Sequence, residues 1–135
     1  KSLENLDVSN FDTSNVTNMS AMFFDCGFTE IDLSNFNTNK VTSMNEMFRQ
    51  CKLKELDLSS FDTSNLKRTD NMFYGSINLK TIYVSEKWNN SNVTLSTWMF
   101  NNCNNLVGKI AYDSTKVDIE YANYETGYFT YKNVE

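Results

Sequence analysis

Histidine and proline are both missing from this chain of 135 residues. Without histidine no Ser-His-Asp or Cys-His couple can form within it. The commonest transition-metal ligand is missing for the same reason. Cysteine is scarce: Cys26, Cys51 and Cys103, an odd number, widely spaced. That pattern is neither a disulfide framework nor a zinc motif. Positive charge is in deficit, with 12 Lys and Arg against 17 Asp and Glu, a net charge of -5. Phosphate backbones need a basic surface, so nucleic acid is excluded as a partner. No apolar run approaches the ~18 residues of a membrane span, and no insertion into a membrane is expected. No signal peptide, lipidation site or anchor is visible. The chain opens inside a repeat and without Met, and so reads as a piece of a longer protein.

What is present is repetition. LDVSNFDTSNVTNMSAMF from Leu6 is followed by IDLSNFNTNKVTSMNEMF from Ile31 and LDLSSFDTSNLKRTDNMF from Leu56. A fourth, looser copy starts at Ile82, so the starts are 25, 25 and 26 residues apart. Leu3, Phe28, Leu53 and Leu79 precede these starts, and Val8, Leu33, Leu58 and Val84 follow two places on. The result is L-x-x-L-x-L, whose last two apolar side chains share one face of a short strand. Asp7, Asp32, Asp57 and Tyr83 lie between them and point the other way.

Each copy continues with Phe11, Phe36, Phe61 or Trp88, then a polar turn. Val16, Met19, Met22, Phe23 and Cys26 come next, spaced three, three, one and three. That spacing predicts one face of a short helix. One unit cannot stand alone. Ordering its backbone costs roughly 1–2 kcal/mol per residue, whereas its half-dozen buried side chains return only about 1.5–3 kcal/mol each. Stacking solves this, because every copy fits the same slot between its neighbours. The predicted fold class is an α/β repeat: a right-handed solenoid with a short parallel sheet of four or five strands on one face and short helices on the other. The repeats are assigned to residues 1–108. The Tyr-rich segment 109–135 has no period and is expected to cap the array, with a helical turn over 118–123 and a strand over 128–131. At the front, Leu6, Val8, Met22 and Phe23 face an open edge.

The repeated letters, Ser-Asn-Phe, Met-Phe and Cys after L-x-x-L-x-L, resemble the BspA-like leucine-rich repeats of bacterial surface proteins and mycoplasma lipoproteins. The resemblance runs from Leu3 to about Gly108 and extends to the tail LVGKIAYDSTKVDIEYANYETGYFTYK. It departs from the pattern at Arg68, Thr69, Ser76, Trp88 and Ser96. It implies an extracellular, cell-surface, adhesin-like protein whose partner is a host matrix protein or another bacterial surface protein.

The candidate binding face is Asp7, Glu30, Asp32, Glu55, Asp57 and Tyr83. Stacked about 4.8 Å apart, the carboxylates form an acidic strip suited to a basic patch or a cation. The competing reading is a solvated strip relieved by Lys54, Lys80 and the serines at 9, 34, 59 and 85. A ladder lacks the converging oxygens of a calcium site, so no metal, cofactor or catalytic role is expected. The turn series Asp12, Asn37 and Asp62 reads as backbone capping. Cys26 and Cys51 share a slot, which leaves both a disulfide and a pair of buried thiols open. Ser76 in the same slot favours the thiols. Asn15, Asn18, Asn89 and Asn92 begin N-x-S/T sequons that reflect composition. Trp88 reads as a bulky core Phe, and Tyr83 as the exposed aromatic anchor. Non-catalytic binding through the sheet face is the expected function, and a spacer that presents another domain is the alternative.

Overall fold

A computed structural model describes residues 5–134. The chain winds into a stack of coils, one per repeat. Bridges run parallel from Asn18 to Ser43, to Arg68 and to Leu95, so equivalent positions of successive coils lie side by side. The rings of Phe23, Phe48, Phe73 and Phe100 stack at centroid spacings of 5.6, 5.8 and 5.5 Å. Phe36 and Phe61 form a second stack, 6.3 Å apart and 4° from parallel. The core is a column of identical slots. Met47, Met72 and Met99 fill theirs completely, while Met22 in the first coil stays 38% exposed. Leu3 of the opening pattern lies outside the described residues.

The predicted helices are absent, and with them the predicted class of a helix-bearing leucine-rich-repeat solenoid. The described residues contain no α-helix, only one 3-10 turn at Ile119–Tyr121. Where helices were expected, the backbone spends its amides sideways. Met19, Ala21, Phe23 and Asp25 N–H donate to the carbonyls of Ser43, Asn45, Met47 and Arg49 in the next coil. Between these bonds the chain closes tight turns, Met22 N–H to Met19 O and Cys26 N–H to Phe23 O. Two residues in each copy adopt positive φ, for example Ala21 at 58° and Asp25 at 55°. A chain that turns every three residues puts side chains inward at three-residue intervals. That mimics one face of a helix in sequence but forms no i to i−4 ladder. Eight residues make a marginal helix, and lateral bonding in a stack satisfies the same donors cooperatively.

The sheet is shorter than predicted. It has three strands in the order β1 (Glu55–Asp57), β2 (Thr81–Val84) and β3 (Phe129–Tyr131), all parallel. The first two coils bury Val8 and Leu33 but form no strand there. On the sheet side the bonds leading into the third coil are long, with Lys52 N–H to Cys26 O at 3.3 Å and Lys54 N–H to Thr29 O at 3.4 Å. The ladder tightens only where β3 from the tail supports it.

A threonine column is the polar spine of the stack. Thr13, Thr38 and Thr63 are buried. Each hydroxyl donates to the carbonyl of Asn37, Asp62 or Asn89 in the following coil and accepts that residue's N–H. Each of these three hydroxyls is thereby satisfied on both counts. In the fourth coil Asn90 takes this place. Its amide donates to Ile119 O at 3.2 Å and Ala122 O at 2.9 Å, and its Oδ1 accepts Trp88 Nε1–H at 2.6 Å.

The tail folds over the last coil. Val117 O accepts Phe100 N–H, Asp118 Oδ1 accepts Trp98 N–H, and the Tyr112 hydroxyl accepts Asn102 N–H. Buried Tyr128 donates its hydroxyl to Lys116 O at 2.7 Å. Gly127 packs so closely that a Cβ there would meet Tyr121 O at 2.1 Å.

The three cysteines are free and buried, which settles the choice left open between a disulfide and thiols. Cys51 Sγ donates to Phe23 O at 2.9 Å, and Cys103 Sγ to Phe73 O at 3.0 Å. Ser76 Oγ does the same to Phe48 O at 2.6 Å, so the slot requires a small donor. Burial pushes the Cys103 thiol up to about 12. Trp88 fills the core and meets the Phe129 ring edge-on at 5.0 Å.

Candidate functional site

The outward row of the sheet is set by strand alternation. Leu56, Ile82 and Phe129 point inward and are buried. Asp57, Tyr83 and Thr130 pair in register on the outer face. Around them lies an open trough of about 540 Å³, lined by Thr29, Glu30, Ile31, Lys54, Glu55, Asp57, Tyr83 and Lys132. Four of the six candidates, Glu30, Glu55, Asp57 and Tyr83, therefore meet at one place. A neighbouring hollow shares Glu30 and Ile31 and adds Asp32. Asp7 lines neither. The trough thus extends across the second, third and fourth coils.

The aspartates have a task of their own. Oδ1 of Asp7, Asp32 and Asp57 accepts the backbone N–H of Ser9, Ser34 and Ser59, each at 2.9 Å. These are Asx-turns that bend the chain out of the sheet face. The same device recurs in the outer turns, where Asp12, Asn37, Asp62 and Asn89 capture the amides two residues on. That pattern explains why Asp and Asn exchange freely in these places.

The bonded serines hold the carboxyls of Asp7 and Asp32 below the usual range. For Asp32 the neighbouring Asp57 and Asp7 charges push the other way and are outweighed. Asp57 is the most buried of the three. Burial would raise its pKa, but Lys132 and Ser59 together leave it lowered. Lys132 Nζ binds Asp57 Oδ2 and lies 5.6 Å from the Tyr83 ring centre. Lys132 is exposed and Asp57 only partly buried, so solvent screens the pair and it adds little to stability. Lys132 is the site residue that sequence reasoning missed. It comes from the aperiodic tail, and nothing in the repeat signals it. Lys54 lines the trough, as its relieving role requires; Lys80 does not line it.

Among the described residues no three Cys, Asp or Glu side chains converge as metal ligands would. No helix there is long and apolar enough to cross a membrane. Stacked coils with one charged trough define a repeat protein whose apolar letters serve the stack. The chain belongs to the DUF285 family, described as Mycoplasma protein of unknown function, whose model matches residues 1–113. Neither the curated proteins nor the solved structures offer a match.

Proposed function

We propose that this chain is a non-catalytic binding module of a bacterial surface protein, engaging a basic segment of a protein partner through the trough. The observation that carries the reading is the convergence of Glu30, Glu55, Asp57 and Tyr83 in one open depression. Glu30 and Glu55 are exposed and form no ion pair among the described residues, so they are available to an incoming Lys or Arg. Tyr83 supplies flat amphipathic area beside them. Asp57 is already engaged by Lys132, so a partner must either displace that lysine or add to the network. The likeness of the repeat letters to those of BspA-like surface proteins supports an extracellular, adhesive setting.

A second reading, a spacer that presents another domain, is favoured by one observation. The repeated Asp7, Asp32 and Asp57 each hold a turn, so the coil needs them whether or not anything binds. The test immobilises matrix proteins and titrates the chain beside a variant with Glu30→Gln, Glu55→Gln and Tyr83→Ala. Saturable binding that the variant loses supports the module. No binding by either protein favours the spacer.

A further inference from the structure

The coil segments remote from the sheet carry a second surface. Phe24, Arg49 and Tyr74 hold one register position in three successive coils. The Arg49 guanidinium lies 5.6 Å from the Phe24 ring centre and 4.7 Å from that of Tyr74. Trp98 extends the row, its ring 6.2 Å from Tyr74 and tilted by 39°. Behind the row, buried Phe100 separates it from Phe129 of β3, so the row shares no residue with the trough.

Trp98 is anomalous twice over. Its φ is 57°, a conformation ill-suited to a bulky side chain, and it is 53% exposed. The same position in the earlier coils holds Ala21, Glu46 and Asn71, also at positive φ. Stability alone gives no reason to place an indole there. Arg49 Nη1 donates to Glu46 Oε2, so its charge is already paired, and Asp25, at the register of Gln50 and Asn102, adds one negative charge at the first-coil end of the row. Gln50, Asn71, Asn101 and Asn102 lie along it, and their side-chain amides form no hydrogen bond among the described residues.

We propose that this row is a carbohydrate-binding platform for a neutral oligosaccharide. A pyranose ring has an apolar C–H face and a rim of hydroxyls. The exposed indole of Trp98 and the half-buried phenol of Tyr74 match the face, and amides that both donate and accept match the rim. With Arg49 already paired to Glu46 on a protein of net charge -5, the row offers no free cation to an anionic glycan. A strip four side chains long falls well short of the roughly 20–30 residues a side of a stable protein interface, but it suits a single glycan chain.

The test is calorimetric titration with cellohexaose, chitohexaose and laminarihexaose. Trp98→Asn borrows the residue that already occupies this register and φ at Asn71, and Tyr74→Leu gives an independent probe. At least one sugar is expected to bind saturably and to lose tenfold or more in affinity in both variants. The Trp98→Asn protein is expected to melt no lower than the wild type. Saturable heat with none of the three sugars overturns the proposal, as does unchanged affinity in Trp98→Asn. Loss of several degrees in its melting temperature does so too, because Trp98 would then be structural. Capture of a deglycosylated matrix protein by the wild type but not by Trp98→Asn would make the row a protein-docking face and would also overturn it.

Discussion

Single residues here are chosen by what the next coil needs. Thr38 shows this most clearly, since its hydroxyl both donates to Asp62 O and accepts Asp62 N–H, each at 2.9 Å. Thr38→Val keeps the shape and strands both partners, which is expected to cost about 1–3 kcal/mol in chemical denaturation. Thr38→Ser keeps the hydroxyl and should cost clearly less. The turn carboxylates make a second prediction. Asp7, Asp12, Asp32, Asp57 and Asp113 all titrate below the ordinary 3.8. A lowered folded-state pKa adds stability that is present above the unfolded value and is lost as pH falls through the folded one. The melting temperature should therefore be insensitive to these groups between about pH 7 and 5 and fall below about pH 4. Asp12→Asn, copying Asn37, keeps the acceptor but removes the titration and should soften that fall.

At the scale of elements, the tail replaces a neighbour that the repeat letters expect. Asn90 stands where the other coils have Thr13, Thr38 and Thr63, and its amide reaches Ile119 O and Ala122 O in the tail. Restoring the repeat letter by Asn90→Thr shortens the side chain and frees Trp88 Nε1. The change is expected to destabilise by about 1–3 kcal/mol, although it makes the fourth copy more regular. Equal or greater stability, measured by urea denaturation, would contradict the docking role given to Asn90. The stacking itself was legible in the sequence, because Phe23, Phe48, Phe73 and Phe100 could recur so faithfully only as a column. The turn-capping of Asp12 and Asn37 was legible as well, from residue type. The missing helices were not. Val16, Met19 and Met22 at three-residue spacing fit a helix face and a succession of turns alike, and only the lateral bonds of Ala21 and Asp25 separate the two. The trough was half legible: strand alternation placed Tyr83 beside Asp57, whereas Lys132 arrives from a segment with no pattern to extrapolate.

At the scale of the whole molecule, the lateral bonds of the turn segments run one way, while those flanking them, such as Thr42 N–H to Thr17 O and Lys52 N–H to Cys26 O, run the other. In the turn segments the amides of each coil donate to carbonyls of the next, Met19 to Ser43, Met44 to Arg68 and Thr69 to Leu95. The last coil therefore presents donors, which Val117, Asp118 and Tyr112 of the tail receive. Stability built this way is a sum over neighbouring contacts, and the scaffold consumes nearly all the repeated letters. Glu30, Glu55, Tyr83 and Lys54 lie outside that demand, and the proposed binding role rests on them. The most direct test of that claim titrates a Lys- and Arg-rich peptide into the isotopically labelled chain and follows the amide resonances. Saturable, salt-sensitive shifts centred on Glu30, Lys54, Glu55 and Tyr83 are predicted. Shifts centred elsewhere, or none at low salt, would contradict the account.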